Sequence, residues 1–426
     1  MSARPARLGL RENRAQFSLL VAVNAFVGAM VGLERSTLPL IGRADFGLSS
    51  SAAVLSFIAA FGLAKALANL GAGAYATRIG RRRLLIAGWG LALPVPVLIA
   101  VAPSWGWVVV ANLLLGMNQG LAWSMTVVMK IDLVGPKRRG FALGLNEAAG
   151  YGGVALAAAV SGWLAADFAA RDVLVAAGAG VAVVALVVTV VFVRDTAGHV
   201  AVEQAAHNAD EGEVAPRMRT AFPQATWRVP ALRSAAQAGL VNNLNDALAW
   251  GLVPLYLAAH GAGAGAIGAV AGIYPAVWGV GQIWTGHWSD RVGRKPLIVA
   301  GMALQSAALT VLAASAGAMA AATVAAILLG AGTALVYPAL IAAISDAVAP
   351  VARAAMLGVY RFWRDSGYVV GALIAGVVAD ALGFGGAIGV VAGLTALSGL
   401  WVAFDMPARP RASRAVEPAT PAGTTA

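Results

Sequence analysis

The residues that could do chemistry in this chain are polar and charged side chains standing inside long apolar runs. Asp246 lies in the middle of such a run, beside Asn242, Asn243, Asn245 and Trp250. Asn242, Asn243, Asp246 and Trp250 follow an i, i+1, i+4, i+8 spacing and would share one helical face. A lone acid in apolar surroundings is suited to taking up and releasing a proton, so Asp246 is the first proton-coupling candidate. Glu34, followed directly by Arg35, is the second; its other reading is a structural pair with Arg35 near an outer gate. Lys65 would lie about 18 Å along a helix from Thr77. That is too deep for its ammonium to reach water easily, so it needs a carboxylate partner or an anionic substrate.

Other polar groups extend the set. Asn24, Asn118, Gln119, Trp123, Asn242, Trp250 and Tyr337 are expected, with Lys65, to line a substrate cavity. Tyr274, Trp278 and Gln282 follow i, i+4, i+8 and form a polar and aromatic stripe beside it. Arg361, Arg364 and Asp365 crowd the start of the eleventh apolar run. They read as an inner gate pairing with Asp132, Glu147 or Lys130, or as a clamp for a carboxylate or phosphate, since arginine offers a planar fork of donors. Asp290, Arg291, Arg294 and Asp346 complete the gate candidates.

Twelve apolar runs must position these groups, over about 17–41, 51–76, 83–102, 105–131, 139–165, 172–193, 234–258, 265–288, 296–316, 318–345, 354–380 and 384–404. Each is long enough to cross a bilayer core, which takes about 20 helical residues. The composition agrees: 60% of residues are hydrophobic and 12% charged, against about 25% charged in a soluble domain. The 51 glycines suit helices packed backbone to backbone, and the long runs exclude a β-barrel of short alternating strands. The first run is too long for a cleavable signal and reads as an uncleaved anchor. Trp105 and Trp107 open the fourth run at the outer face.

The net charge of +11 does not point to nucleic acid. Most of the basic residues fall in one alternating set of turns and tails, while the opposite set holds Arg43 and Arg171. That asymmetry places both termini in the cytoplasm of an inner (plasma) membrane. The sequence contains no cysteine, no P-loop and no metal-ligand spacing among His199, His207, His260 and His287, so neither a cofactor nor a metal is expected.

The chain is also doubled. Gly286-His287-Trp288-Ser289-Asp290-Arg291-Val292-Gly293-Arg294-Lys295 is matched by a degraded copy running from Gly73 to Arg83, with Thr77 where the acid falls. Leu113-Leu114-Leu115-Gly116 matches Ile327-Leu328-Leu329-Gly330, Asp132 matches Asp346, and Pro39 matches Pro254. This divides the chain into a six-helix bundle over 1–195, a cytoplasmic linker over 196–232, a second bundle over 233–406 and a disordered cytoplasmic tail over 407–426. Internal repeats with a site at their interface are the layout of many secondary transporters.

The two turns resemble the signature loops of the major facilitator superfamily. The resemblance implies an all-α membrane fold of two pseudo-symmetric six-helix bundles. It also implies that Asp290 closes against the start of the fifth helix near Arg139, with no matching charge at Thr77. The family's second motif places an arginine where this chain has Asn112. Gly144, Gly150, Gly152 and Gly153 resemble its glycine-rich antiporter motif without the proline. The function expected is a monomeric, proton-driven transporter exporting a small molecule by alternating access. An uptake symporter for a small organic anion, using Lys65, Arg361 and Arg364, is the alternative; a non-transporting receptor is the third reading. Partners are the lipid bilayer, protons and a small-molecule substrate, with no nucleic acid. No nucleophile and base can be paired, so an enzyme is not expected.

Overall fold

The computed structural model describes residues 7–135, 139–207, 218–348 and 352–408. The tail beyond 408 lies outside them, as do the side chains of Thr77, Arg139 and Asp290 on which the signature-loop gate was expected to turn. Among the described residues the chain is helical throughout. The first bundle comprises α1 (Arg14–Ala44), α2 (Ser51–Ile79), α3 (Arg81–Ala92), α4 (Pro94–Ala100), α5 (Trp105–Val134), α6 (Arg139–Leu164) and α7 (Ala170–Phe192). Two linker helices follow, α8 (Ala197–His207) and α9 (Met218–Pro223). The second bundle comprises α10 (Pro230–Ala247), α11 (Val253–Ala259), α12 (Ala264–Val292), α13 (Arg294–Ala314), α14 (Met319–Ala347) and α15 (Arg353–Asp405).

Nine helices among the described residues are long and apolar enough to cross a membrane. The last is two spans in one, because Gly383 at φ 75° breaks its helical course. With α6 and the run from α10 to α11, the twelve expected crossings are present.

Prolines account for two irregularities that the apolar pattern did not foretell. The third run is split at Leu93, where Pro94 opens α4. Between α10 and α11 the chain takes a π turn over Leu248–Leu252. Pro254 has no N–H to give the Trp250 carbonyl four residues back, which favours a wider turn there. The doubling is visible in the backbone too: Gly80 and Gly293 end α2 and α12 with φ of 93° and 97°, a conformation that glycine adopts without steric penalty.

The halves meet as a V. A Cβ placed on Gly162 of α6 would stand 2.5 Å from the Cα of Gly268 on α12. Moving along the same pair of helices, a Cβ on Gly272 would meet the Ala155 carbonyl at 2.8 Å, and one on Gly279 would meet the Tyr151 Cβ at 3.3 Å. Gly144 and Gly286, farther still, face open space. Helices α2 and α15 repeat the trend: Gly376 packs on Ala52 and Gly62 on Tyr368, while Gly71 has nothing within 4 Å. Small residues therefore seal one end, and the helices part toward the end bearing the termini and arginine-rich turns, here called the basic end.

The seal also has a polar lock. Asp380 on α15 accepts from the Ser50 hydroxyl at 2.6 Å, the Ser51 N–H at 2.5 Å and the Ala52 N–H at 3.1 Å. A carboxylate from the second half thus caps the N-terminus of α2 in the first, where helix dipole and unpaired N–H groups favour an anion. The absence of native cysteine makes one introduced cysteine a clean reporter of this seal. With Asn69→Cys facing the cleft, Gly268→Leu or Asp380→Ala is expected to raise labelling by a membrane-impermeant thiol reagent applied from the sealed side. Unchanged labelling in both variants would show that these contacts do not hold the closure.

Candidate functional site

The V encloses a cleft lined by Lys65 and Asn69 from α2, Trp123 and Ser124 from α5, Glu147 and Tyr151 from α6, Tyr337 from α14, and Arg361 and Arg364 from α15. Both halves contribute, and the helical spacings explain how. Lys65 and Asn69 are four apart, as are Glu147 and Tyr151, and Arg361 and Arg364 are three apart, so each pair presents two side chains on one face.

Lys65 is buried at 8% exposure without a hydrogen bond among the described residues. Its ammonium stands 5.4, 5.7 and 5.3 Å from the ring centroids of Phe61, Trp123 and Tyr368. Aromatic faces attract a cation but offer no acceptor for its N–H groups, so its donors remain available. Across the cleft, Arg364 gives Nε and Nη2 to Asp365 Oδ1 at 2.8 and 2.6 Å, and Nη1 to the Tyr337 hydroxyl. Asp365 is fully buried and links the halves, since its Oδ2 accepts from Asn69 Nδ2 on α2. Asn69 Oδ1 in turn accepts from Ser124 on α5 at 2.7 Å. Glu147 Oε1 accepts from Trp123 Nε1 at 2.9 Å and Asn146 Nδ2 at 3.0 Å.

Asp246 sits behind this cleft. It is fully buried and accepts from the Tyr274 hydroxyl, and from the Tyr368 hydroxyl at 3.3 Å. Trp250 stacks on Tyr368 with ring centroids 6.1 Å apart and planes 14° apart. Trp278 packs on Tyr151 from the first half at 3.5 Å between centroids, and on Tyr337 at 5.4 Å. An aromatic wall thus joins the proton candidate to the cleft.

The structure brings the cavity candidates Lys65, Trp123 and Tyr337 and the gate candidates Glu147, Arg361 and Arg364 into one cleft, and separates several others. Asn24 bonds the Asn146 carbonyl and Thr126, Asn118 the Gly88 carbonyl, and Gln119 the Val27 carbonyl, all inside the first bundle. Asn242 accepts from Gln305 inside the second. These four hold helices together rather than line the cavity. Their polarity was read correctly, but the direction each faces was not.

The gate pairing is corrected as well. Asp132 forms an ion pair with Arg81 at 2.6 Å and accepts from Thr196, both on its own side. Lys130 donates to the Leu20 carbonyl at 3.3 Å within the first bundle. Arg294 pairs with Asp346 at 3.0 Å, the repeat-related counterpart of the Arg81–Asp132 pair. These pairs therefore fasten turns to helices within each half. Arg291 is exposed, and Gln282 is buried with its Nε2 unpartnered.

Glu34 and Arg35 interact electrostatically but form no salt bridge among the described residues. Both Glu34 carboxyl oxygens are buried without a hydrogen-bond partner, beside Val95, Pro96, Leu174 and Gly178 in the first bundle. Arg35 faces the seam instead, 4.5 Å from the Phe61 ring and 5.6 Å from Trp250. Adjacent helical residues point about 100° apart, which sends the two side chains to different neighbours. The candidates missed from the sequence are Asn69, Tyr368 and Asp380. Asn69 is four residues from Lys65 and Tyr368 four from Arg364, so helical spacing alone could have flagged both.

The sequence profile of the Major Facilitator Superfamily matches residues 17–234 and 235–425, one match for each half. None of the curated proteins matches this chain. Among solved structures, a D-xylose–proton symporter aligns with a TM-score of 0.72 at 16% identity, covering 93% of this chain and 98% of its own. The nucleoside transporter NupG, in a point-mutant form, aligns with a TM-score of 0.73 at 12% identity, covering 91% and 99%. At such identities these two likenesses speak for the fold.

The cross-half network yields a stability test. Removing one partner of a buried ion pair leaves the other uncompensated, so Asp365→Ala is expected to lower the unfolding free energy in detergent by about 3–5 kcal/mol. Asn69→Ala, which removes a single hydrogen-bond donor, should lower it by about 1–3 kcal/mol. Equal losses in the two variants would mean that Arg364 is not held by Asp365.

Proposed function

This chain belongs to the Major Facilitator Superfamily, and on that premise we propose that it is a proton symporter working by alternating access, with Asp246 as the proton site and the cleft around Lys65 as the substrate site. The observation that carries this reading is the separation of the two. Asp246 is buried behind Tyr368 and Trp250, whereas the cleft is lined by a different set of side chains. Separate sites can be filled together, as symport requires. One of the aligned structures is that of a D-xylose–proton symporter.

The family and the apolar helices support a multi-pass membrane transporter. By the distribution of Lys and Arg, we place the basic end and both termini in the cytoplasm of the plasma membrane. The open mouth of the V then faces inward, and the Asp380 lock holds the outer end closed. One proton moving through 100 mV supplies about 2.3 kcal/mol, enough to sustain roughly a 50-fold gradient.

Export by exchange is the second reading, and Glu147 is the residue that favours it. It lines the cleft with Oε2 unpartnered, where a proton and a substrate could compete for one carboxylate.

Transport in proteoliposomes separates the two, using a compound selected by thermal-shift screening. Symport through Asp246 predicts that Asp246→Asn abolishes proton-driven accumulation, taking it from as much as roughly 50-fold to simple equilibration, while substrate counterflow continues. Exchange through Glu147 predicts that Glu147→Gln does so and Asp246→Asn does not. Proton-driven accumulation that survives Asp246→Asn would remove Asp246 from the mechanism.

A further inference from the structure

The charges around the cleft do not cancel. Lys65, Arg361 and Arg364 line it against a single acid, Glu147. Arg364 is already committed, because Asp365 accepts from two of its nitrogens and Tyr337 from the third. That pair is neutral. Behind the Phe61 and Tyr368 rings, Arg35 has Glu34 as its strongest electrostatic partner, and Asp246, the proposed proton site, is neutral when it carries the coupled proton. Lys65, Arg361 and Glu147 remain, and together they carry one positive charge.

That charge sits where water is scarce. Lys65 is buried among three aromatic rings, and neither it nor half-buried Arg361 has a hydrogen-bond acceptor among the described residues. A buried cation with unused donors is unfavourable until an acceptor arrives. A ligand with one negative charge relieves it. A neutral ligand leaves it unchanged, a cation adds to it, and a dianion reverses it. Apart from Asn69 and Ser124, which bond each other, the remaining lining is flat and aromatic: Trp123 and Tyr151 have ring centroids 5.2 Å apart, and Tyr337 stands 6.5 Å from Tyr151.

From this balance we infer that the substrate is a small organic monoanion with a flat apolar body. Its acidic group meets Lys65 and Arg361, and its body lies against Trp123, Tyr151 and Tyr337. The inference rests on the reading of the cleft as the substrate site and names the class of molecule that fills it.

The test uses four ring compounds of fixed charge, none of which crosses a membrane as a neutral acid: benzenesulfonate, meta-benzenedisulfonate, benzyl alcohol and benzyltrimethylammonium. Binding to the full chain in nanodiscs is read by thermal shift and tryptophan fluorescence. Benzenesulfonate is expected to bind about tenfold or more tightly than the other three. Lys65→Gln and Arg361→Gln should each weaken it by about tenfold, while Glu147→Gln, which leaves two positive charges, should turn the preference toward the disulfonate. The melting temperature of each unliganded variant confirms that it is folded.

Equal or tighter binding of the ammonium or the alcohol overturns the inference, and so does a wild-type preference for the disulfonate. Sulfonate binding that both cation variants leave intact overturns the placement in the cleft. If none of the four binds while proton-coupled flux of a screened compound persists, the substrate class is wrong and the transport reading stands. If neither binding nor flux occurs, both fail.

Discussion

An ionised side chain inside a bilayer is tolerated where something compensates it, and that constraint organises this molecule. The charges inside its apolar runs gather along the seam between halves or find partners within a bundle. Asp365 shows how far the compensation goes. It takes two donors from Arg364, one from Asn69 in the other half and a longer one from Asn243 at 3.4 Å. Helices that would otherwise be held by weak packing in lipid thereby share a buried polar hub. Such a hub fixes how the halves register, since any slide of α2 against α15 would strand a carboxylate.

Around this hub the packing is graded. Glycine and alanine bring α6 onto α12 and α15 onto α2 at the sealed end, close enough that a single added carbon would meet backbone. Toward the basic end the same helices part, and the residues on their facing surfaces become the cleft lining. The gradient suits a rocking motion: contacts that depend on small residues can be released together, because each contributes little by itself. The Asp380 lock differs in kind. It must exchange three hydrogen bonds for water when the seal opens, so it adds a discrete step to a gradual separation.

Much of the architecture was legible in the sequence because lipid imposes a simple code. Run length located the spans, and the repeated turns and the Asp132–Asp346 correspondence exposed the doubling. The cost of burying charge marked Asp246, Lys65 and Arg364. What the code omits is azimuth. Asn24, Asn118, Gln119 and Asn242 looked like cavity residues because they were polar, yet each binds a neighbouring helix of its own bundle. Glu34 and Arg35 looked like a salt bridge because they adjoin, yet helical geometry turns their side chains to different neighbours and leaves only a longer-range attraction. Asp132 was given a partner across the seam because the sequence does not show that Arg81, distant along the chain, lies beside it. Asp380 was passed over as an ordinary helix-end acid, since its role depends on the N-terminus of a helix some 330 residues away.

On the proposed role of Asp246 as the proton site, the charges that face each other across the seam link proton to motion. The first half presents Arg35, Lys65 and Glu147 there; the second presents Asp246 and Asp365 together with Arg361 and Arg364. Lys65 and Arg35 both interact electrostatically with Asp246. At the effective dielectric of a protein interior, each such attraction is on the order of 1–2 kcal/mol at separations beyond contact. A proton on Asp246 cancels both at once. Their sum is comparable to the energy that a proton gains in crossing a membrane potential of about 100 mV. Occupancy of one carboxyl can therefore shift the balance between two packings of the same helices, because the attraction it switches acts between the halves rather than within either.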